Sequence, residues 1–272
     1  MKIITQPKVE IVGYTVFKEH PTYKIPPDGT DMERLGAFSA KGCYDSFGVD
    51  GRSVAENQRE VLEHKHGSVL EHSSVSVFLE GITRALTLEL NRHRPFSISQ
   101  RSTRYTQEED SAIVLEPYYA KIWDMYKLHW LELTNTVLVP KEYGDQPSVQ
   151  LVKGFVESCG NSISEYQKEV ELLMKLNPNG LKGFALRKWS RGKARNILPH
   201  ALETRGTWTM NMRAWRWFVE VRSNRAAEPE IRRLAEIIFN KLITVAPLYF
   251  EDFHLTEIVD DIPEWQPKLS KV

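Results

Sequence analysis

Residues 74–105 read SVSVFLEGITRALTLELNRHRPFSISQRSTRY, and their pattern changes twice along the segment. Polar and apolar residues alternate over 74–80, which is the period of a half-buried strand. Over 82–90 apolar residues recur every four positions instead, which predicts a short helix with one apolar face. The segment therefore predicts a strand of a small sheet that leads directly into a helix.

Pro95 should end that helix. The residue before a proline avoids helical dihedral angles, so Arg94 is the predicted last helical residue and 96–104 is predicted as loop or extended chain. Further helices are predicted over 31–45, 53–65, 116–138, 148–176, 181–196, 211–223 and 229–244, with strands over 9–17 and 203–209. The predicted class is α+β, helix-rich with a small, mostly antiparallel sheet.

Length and composition favour one folded domain. The chain has 272 residues, 41% of them hydrophobic, which is enough for a large core. It has no internal repeat, low-complexity tract or glycine-serine linker, so we expect a single domain over 1–272. No run of consecutive apolar residues approaches the length of about eighteen that a membrane helix needs. The first residues of the chain lack the apolar core of a signal peptide. We therefore expect a cytoplasmic protein with no membrane partner.

The charges are balanced overall and clustered locally. Lysine plus arginine number 36, as do aspartate plus glutamate. Such a chain has no long-range field to gather nucleic acid, so no nucleic-acid partner is expected. Arginines instead crowd into 84–104, 187–195 and 205–225, which suits several small anionic ligands. The two cysteines, Cys43 and Cys159, suggest neither a disulfide framework nor a metal site.

The stretch 92–105 combines four arginines, one histidine and three serines. Burying these groups without partners is costly. Phosphates or a carboxylate would be suitable partners, because guanidinium groups bind them in paired, charge-assisted hydrogen bonds. On the preceding helix, Glu89, Arg92 and His93 should share one face, because they are three and four residues apart. A solvated basic loop is the alternative, and the chemistry of the residues alone leaves both readings open.

The order of these residues carries more information than their composition. The spacing R-H-R-x-x-S-x-x-x-x-S is formed by Arg92, His93, Arg94, Ser97 and Ser102. It resembles the signature of the flavin-dependent thymidylate synthases. The likeness continues through Arg104 and Tyr105, includes 66–72 and 195–222, and covers most of the chain. It implies a fold like that of the thymidylate synthase-complementing proteins.

The resemblance also implies an activity and its reactants. Members of that family make thymidylate (dTMP) from deoxyuridylate (dUMP) with bound FAD. NADPH reduces the flavin, and methylenetetrahydrofolate supplies the carbon atom. The family assembles as homotetramers whose active sites are shared between subunits. The chain has no G-x-G-x-x-G fingerprint, which is no objection because the family does not bind its flavin on a Rossmann fold.

Two sets of site residues follow from the resemblance. Those implied for the flavin are Ser68, Arg92, His93, Arg94, Gln100, Asn211 and Arg213. Those implied for dUMP are Glu89, Arg92, Gln100, Arg101, Ser102, Thr103, Arg104, Arg195 and Arg222. The resemblance is imperfect at Trp217, where a polar flavin contact is expected, and at Ala226, where many relatives have a histidine.

Several of these residues have a purely structural alternative. Ser68 and Glu71 have the spacing of a helix capping box. Arg187 and Arg191 would lie on one helical face with Arg195, and a solvated face is their default reading. A surface salt bridge is the alternative for Arg222.

The chemistry requires C5 of uracil to become nucleophilic. Neither cysteine has a neighbouring base or the proline-cysteine-histidine context of the thymidylate synthase that uses a thiolate. An arginine at the edge of the ring would instead favour negative charge on the pyrimidine. Arg222 is the candidate catalytic residue, and it would promote ionisation at N3.

Two other classes of function are compatible with parts of the sequence. A nucleic-acid-binding module would use the arginines together with stacking aromatic residues, although the balanced charge disfavours it. A metal hydrolase would use His64, His66 and His72, but no carboxylate or cysteine motif completes such a site, so no metal is expected.

Overall fold

Helices predominate in residues 1–106 and 112–272, the part of the chain that this computed structural model describes. The helices are α1 (Asp31–Cys43), α2 (Val54–Glu63), α3 (Arg84–Leu90), α4 (Pro117–Met125), α5 (Pro147–Leu176), α6 (Gly183–Ala194), α7 (Met212–Arg222) and α8 (Pro229–Val245). None of those helices combines the length and the apolar character that crossing a membrane demands.

The strands are short and form four small sheets within the described ranges. They are β1 (Lys2–Ile4), β2 (Lys8–Tyr14), β3 (Ser74–Thr83), β4 (Ser97–Gln100), β5 (Ala112–Val114), β6 (His129–Leu131), β7 (Thr136–Leu138), β8 (Glu203–Asn211), β9 (Phe253–Val259) and β10 (Ile262–Pro267). The largest sheet has the order β2-β3-β8-β4. The pairs β6-β7 and β9-β10 are antiparallel, whereas β1 and β5 run parallel. The predicted helix-rich α+β class with small antiparallel sheets is confirmed.

Strand β3 shows the burial that its alternating sequence predicts. Val75, Val77 and Leu79 are at most 1% exposed. The residues between them are half-buried, and Ser76 forms a 2.7 Å hydrogen bond between hydroxyl groups with Thr209 of β8. One face of the strand is therefore core, and the other, which carries Ser74, Ser76, Phe78 and Glu80, is half-buried.

The fold comprises two compact units whose sequences interleave. Unit 1 contains Met1–Lys8, Glu80–Leu90 and Gln100–Gly206. Unit 2 contains Val9–Leu79, Asn91–Ser99 and Thr207–Val272. Each unit is therefore assembled from three separate stretches of chain. The expectation of a single domain over 1–272 stays a prediction.

The prediction of one helix over 116–138, in unit 1, is wrong. Helix α4 ends at Met125, and the hairpin β6-β7 follows it. Lys127 and Asn135 have left-handed backbone conformations, with φ of 51° and 49°, and these interrupt the helix and turn the hairpin. The hairpin is then held by packing on α5. A Cβ at Gly160 of α5 would lie 2.3 Å from the indole of Trp130, so a bare glycine is what admits the ring.

The core of unit 2 lies around α7 and α8. The side chains of Trp208, Trp215 and Phe218 are completely buried. The C-terminal hairpin β9-β10, which the sequence analysis does not predict, contacts both helices. Buried Arg216 of α7 joins the hairpin region through a 2.7 Å ion pair with Asp252. This core supports the helix that carries Arg222.

Candidate active site

The arginine-histidine-arginine triplet of the signature follows α3 in a turn. The helix ends at Leu90, so the predicted end at Arg94 is wrong, as is the expectation that Arg92 and His93 share a helical face with Glu89. Pro95 explains the earlier end, because a proline ring collides with the carbonyl group four residues before it in a helix. In the turn, the Phe96 N–H donates to the His93 carbonyl at 3.1 Å.

The turn buries His93 and leaves both neighbouring arginines exposed. His93 is 2% exposed, and its ring lies among those of Phe218, Phe96 and Trp217. Arg222, at the end of α7, donates a 2.7 Å hydrogen bond from Nε to Nε2 of His93. Unit 2 thus brings together the proposed catalytic arginine and the central residue of the signature, which lie far apart in sequence. This bond to His93 does not test the alternative of a surface salt bridge for Arg222.

The surroundings of His93 keep its ring neutral. Burial and then the charge of Arg222 lower the pKa of His93 to about 4. Because Nε2 accepts the bond from Arg222, the hydrogen-bond pattern assigns the ring proton to Nδ1. Nδ1 is buried and has no hydrogen-bond partner among the described residues. An orphaned buried donor of this kind is uncommon in folded proteins and points to a ligand or an ordered water molecule.

The N-terminus of α7 borders a cavity of about 470 Å³, cavity A. It is lined by Glu71, Pro95, Asn211, Arg213, Ala214, Arg216, Trp217, Glu220, Leu269, Lys271 and Val272. The Asn211 side chain caps the helix by accepting a 2.9 Å bond from the Ala214 N–H. Arg213 donates to the Glu71 carboxylate at 2.6 Å and to the Val272 carbonyl at 3.1 Å. Both predicted flavin residues of this helix therefore line one cavity.

A larger cavity of about 940 Å³, cavity B, lies beside the turn that carries Ser68. Ser68, His66 and Arg213 are among its lining residues, together with Lys41 and Arg52. Arg213 lines both cavities. Four of the five charged residues that line cavity B are cations, which suits an anionic ligand.

The capping-box reading of Ser68 is wrong. Gly67–His72 forms a 3-10 turn whose N-cap is His66 and which has no side-chain cap. Glu71 pairs with Arg213 instead. The metal reading gains no support either, since no three metal-ligating side chains cluster within 1–106 and 112–272.

In unit 1, the residues predicted for the dUMP phosphate form a turn after β4. The Gln100 amide nitrogen donates to the Thr204 hydroxyl at 3.2 Å. The guanidinium of Arg101 uses one of its donors within the protein, in a 3.3 Å hydrogen bond to the Glu203 carboxylate. The Ser102 carbonyl accepts from the Thr106 N–H at 3.1 Å and so closes the turn. Inside it, Thr103 is buried.

Arg104 extends from that turn along α6. Its Nε lies 3.7 Å from where a Cβ on Gly192 would stand. Arg195 caps the same helix three residues later, so Gly192 and Arg195 share a face. Arg191 ties the helix to the turn by donating to the Tyr105 carbonyl at 2.9 Å. Two exposed arginines predicted to bind phosphate, Arg104 and Arg195, thus lie at one end of α6.

Some residues of the candidate site are absent from the sequence prediction. Lys41 and Arg52 line cavity B, and Leu269 and Val272 line cavity A. No short motif marks any of them, and only tertiary packing brings them to the cavities. Glu89 is half-buried near the end of α3, and its role at the dUMP site stays a prediction.

The fold has relatives among solved structures. The UMP/dUMP methylase PolB from Streptomyces cacaoi bound with 5-Br UMP matches with a TM-score of 0.63 and 21% identity, over 92% of this chain and 95% of that chain. The same methylase bound with 5-Br dUMP matches with a TM-score of 0.62 and 19% identity, over 92% and 96%. The chain therefore has the fold seen in these nucleotide methylases.

Comparison of the sequence with those of known proteins identifies the family to which the chain belongs. Residues 28–248 match the family described as thymidylate synthase complementing protein. A flavin-dependent thymidylate synthase of Mycobacterium leprae (strain Br4923) is 33% identical over 93% of this chain and 92% of that protein. One from Mycobacterium sp. (strain JLS) is 34% identical over the same shares. The chain belongs to the thymidylate synthase complementing protein family, which confirms the resemblance first seen in the signature.

Proposed function

We propose that this chain is a flavin-dependent thymidylate synthase, a methyltransferase that converts dUMP to dTMP by reductive methylation at C5. The observation that carries the proposal is the family membership, with relatives of that name matching over 93% of the chain. The site geometry is consistent with it. The signature histidine contacts the proposed catalytic arginine, and the predicted flavin residues of α7 line one cavity.

Cavities A and B suit a long ligand with two ring systems and a diphosphate, such as FAD. Arg213 lines both cavities, so its guanidinium borders a ligand bound in either one. The positive end of α7 adds to the attraction for a phosphate there. We assign Ser68, Asn211 and Arg213 to the flavin on this basis, together with the exposed Arg92 and Arg94.

The donors available in unit 2 fit the flavin. Arg213 already donates from Nε and Nη1, so a phosphate would use the remaining donors of its guanidinium. The orphaned Nδ1 of His93 is a further donor that a bound ligand would satisfy. When bound, the flavin supplies the hydride that completes the methyl group.

We assign the dUMP phosphate to unit 1. Arg104 and Arg195 lead this group, because both are exposed and lie at the same end of α6. Ser102 and Thr103 form the turn that holds Arg104 in place. Gln100, Arg101 and Glu89 complete the predicted set, and the assignment of Gln100 to the flavin as well stays a prediction. Charge-assisted bonds from two guanidinium groups would hold the phosphate and orient the uracil ring.

Arg222 would activate the uracil. Guanidinium donors at the ring edge stabilise negative charge that develops on N3 and O4, and this makes C5 more nucleophilic. The bond to His93 fixes the direction of the guanidinium before the substrate arrives. A neutral imidazole suits this role, since it accepts a hydrogen bond from Arg222 without repelling its charge.

The cysteines support a mechanism without a thiolate. Burial raises the pKa of the Cys159 thiol to about 11, which is opposite to the shift that a nucleophilic cysteine needs. Cys43 is exposed, and no described histidine or carboxylate side chain is paired with it.

Methylenetetrahydrofolate as carbon donor, NADPH as reductant, a homotetramer with shared sites and a cytoplasmic location complete the proposal. They rest on the family resemblance.

A direct assay tests the proposed activity. The purified protein should be yellow and should form dTMP from dUMP only when NADPH and methylenetetrahydrofolate are both supplied. The double variant Cys43→Ala, Cys159→Ala should stay active, because no thiolate is used. A colourless protein that shifts single-stranded DNA would contradict the proposal and favour a nucleic-acid-binding module.

A further inference from the structure

Trp217 is exposed in an unusual place for so large an apolar side chain. Its neighbours in α7, Trp215 and Phe218, are completely buried, whereas Trp217 is 45% exposed. The exposed part lines cavity A, and the indole centroid lies 4.8 Å from that of the His93 ring. A half-exposed tryptophan beside a cavity is typical of a ligand-binding surface, because water is a poor partner for indole.

The position of Trp217 on α7 relates it to the proposed flavin contacts. Arg213 and Trp217 are four residues apart, so their side chains lie on the same face of the helix. Asn211 caps that helix and lines the same cavity. One wall of cavity A therefore offers an amide, a cation and an indole, in that order along a single helix. This combination fits a ligand that carries both a phosphate and a flat aromatic ring.

From this arrangement we propose that Trp217 is a binding residue that fixes the orientation of the flavin, because a ring of the flavin stacks on its indole in cavity A. The inference rests on the proposed function and adds a contact to it. Family resemblance predicts a polar contact at this position, and Trp217 supplies an apolar surface in its place. The same indole packs on the ring of His93, which is 2% exposed.

Stacking predicts two separable effects. Removing the indole weakens flavin binding, and it also restores flavin fluorescence, because indole in contact with an excited flavin quenches it by electron transfer. In Trp217→Leu we expect the Kd for FAD to rise about tenfold or more, since both buried apolar area and ring stacking are lost. In Trp217→Phe we expect the Kd to stay within about threefold of wild type while the bound flavin becomes brighter.

The experiment is a titration of flavin-stripped protein with FAD, followed by flavin fluorescence and absorbance. Tyr118→Leu is the matched control, because Tyr118 is 56% exposed on α4 and lies in neither cavity. Thermal melting of the stripped proteins checks that each variant is folded. If Trp217→Leu and Trp217→Phe bind FAD with wild-type Kd and brightness, the inference is overturned while the proposed function stands. If wild-type protein binds no FAD, the proposed function fails first and the inference fails with it.

Discussion

At the scale of single residues, the proposed chemistry depends on the hydrogen bond from Arg222 to His93. The bond fixes one guanidinium at the end of α7, and the buried imidazole accepts it only in its neutral form. Phe218 and Trp217 exclude water from the ring and so favour that form. Protonating His93 would place two positive charges next to each other in a buried site.

This arrangement predicts a dependence of stability on pH. The pKa of His93 is about 4 in the folded protein and about 6.5 when unfolded, so protons bind the unfolded state more readily. The contribution of neutral His93 is complete above pH of about 6.5 and is lost as the pH falls towards 4, up to about 3 kcal/mol at about 1.4 kcal/mol per pKa unit. Urea unfolding at a series of pH values measures it.

The control for this prediction is His93→Gln. An amide oxygen can still accept from Arg222, but it does not titrate in this range. The variant should lose less stability than wild type between neutral and mildly acidic pH. Equal slopes for the two proteins would show that His93 is not the group that titrates.

At the scale of helices and strands, the sequence predicts those elements whose own pattern of polar and apolar residues determines their structure. The alternation over 74–80 and the long apolar stripe of α5 were sufficient to predict β3 and α5 within a few residues. The helix over 116–138 could not be excluded locally, because the hairpin β6-β7 is stabilised by packing on α5 rather than by its own sequence. The C-terminal hairpin β9-β10 is not predicted either. It packs on α7 and α8, and these contacts are not visible in the local pattern of its own sequence.

The packing of β6-β7 on α5 is testable with two glycines of one helix. Gly160→Ala should destabilise the protein by about 1–3 kcal/mol, because the new Cβ would collide with Trp130. Gly154 has no heavy atom within 4 Å of its Cβ position, so Gly154→Ala should stabilise by about 0.5–1 kcal/mol through helix propensity. Denaturant unfolding compares the two. Similar changes for both would contradict the proposed contact.

Helix α6 carries a second prediction at this scale. Arg195→Ala should raise the Kd for dUMP about 10- to 100-fold, the loss typical of a charged hydrogen bond, without changing the flavin absorbance. Arg187→Ala, two turns earlier on the helix, should bind dUMP like wild type. Calorimetric titration with dUMP distinguishes the two variants. An equal loss in both would indicate that α6 acts only through its overall charge.

At the scale of the whole molecule, the net charge is zero, so the protein as a whole does not attract anions. Anionic ligands must therefore be bound by local groups of cationic side chains, and these come from distant parts of the sequence. The signature segment was recognisable because its residues are close together. Recognition of Arg195, Asn211, Arg213 and Arg222 depended on family resemblance. Residues such as Lys41, Trp217 and Val272 come to the cavities only by tertiary packing, which no local pattern encodes.

The proposed homotetramer predicts that flavin binding depends on assembly. Variants or conditions that dissociate the protein should release the flavin even when the monomers stay folded, because shared sites are lost with the interface. Gel filtration with detection of protein and flavin absorbance measures both quantities together. A monomer that is yellow and fully active would contradict shared active sites.

Release of tritium from C5 of labelled dUMP tests the central claim most directly, because only an activated uracil exchanges or loses that atom. Wild-type protein should release tritium when NADPH and the folate are present. Arg222→Ala should release it about 100- to 1,000-fold more slowly while keeping its yellow colour, since the lost donor acts on the charge developing in the ring. Release at the wild-type rate by a yellow Arg222→Ala variant would contradict the account.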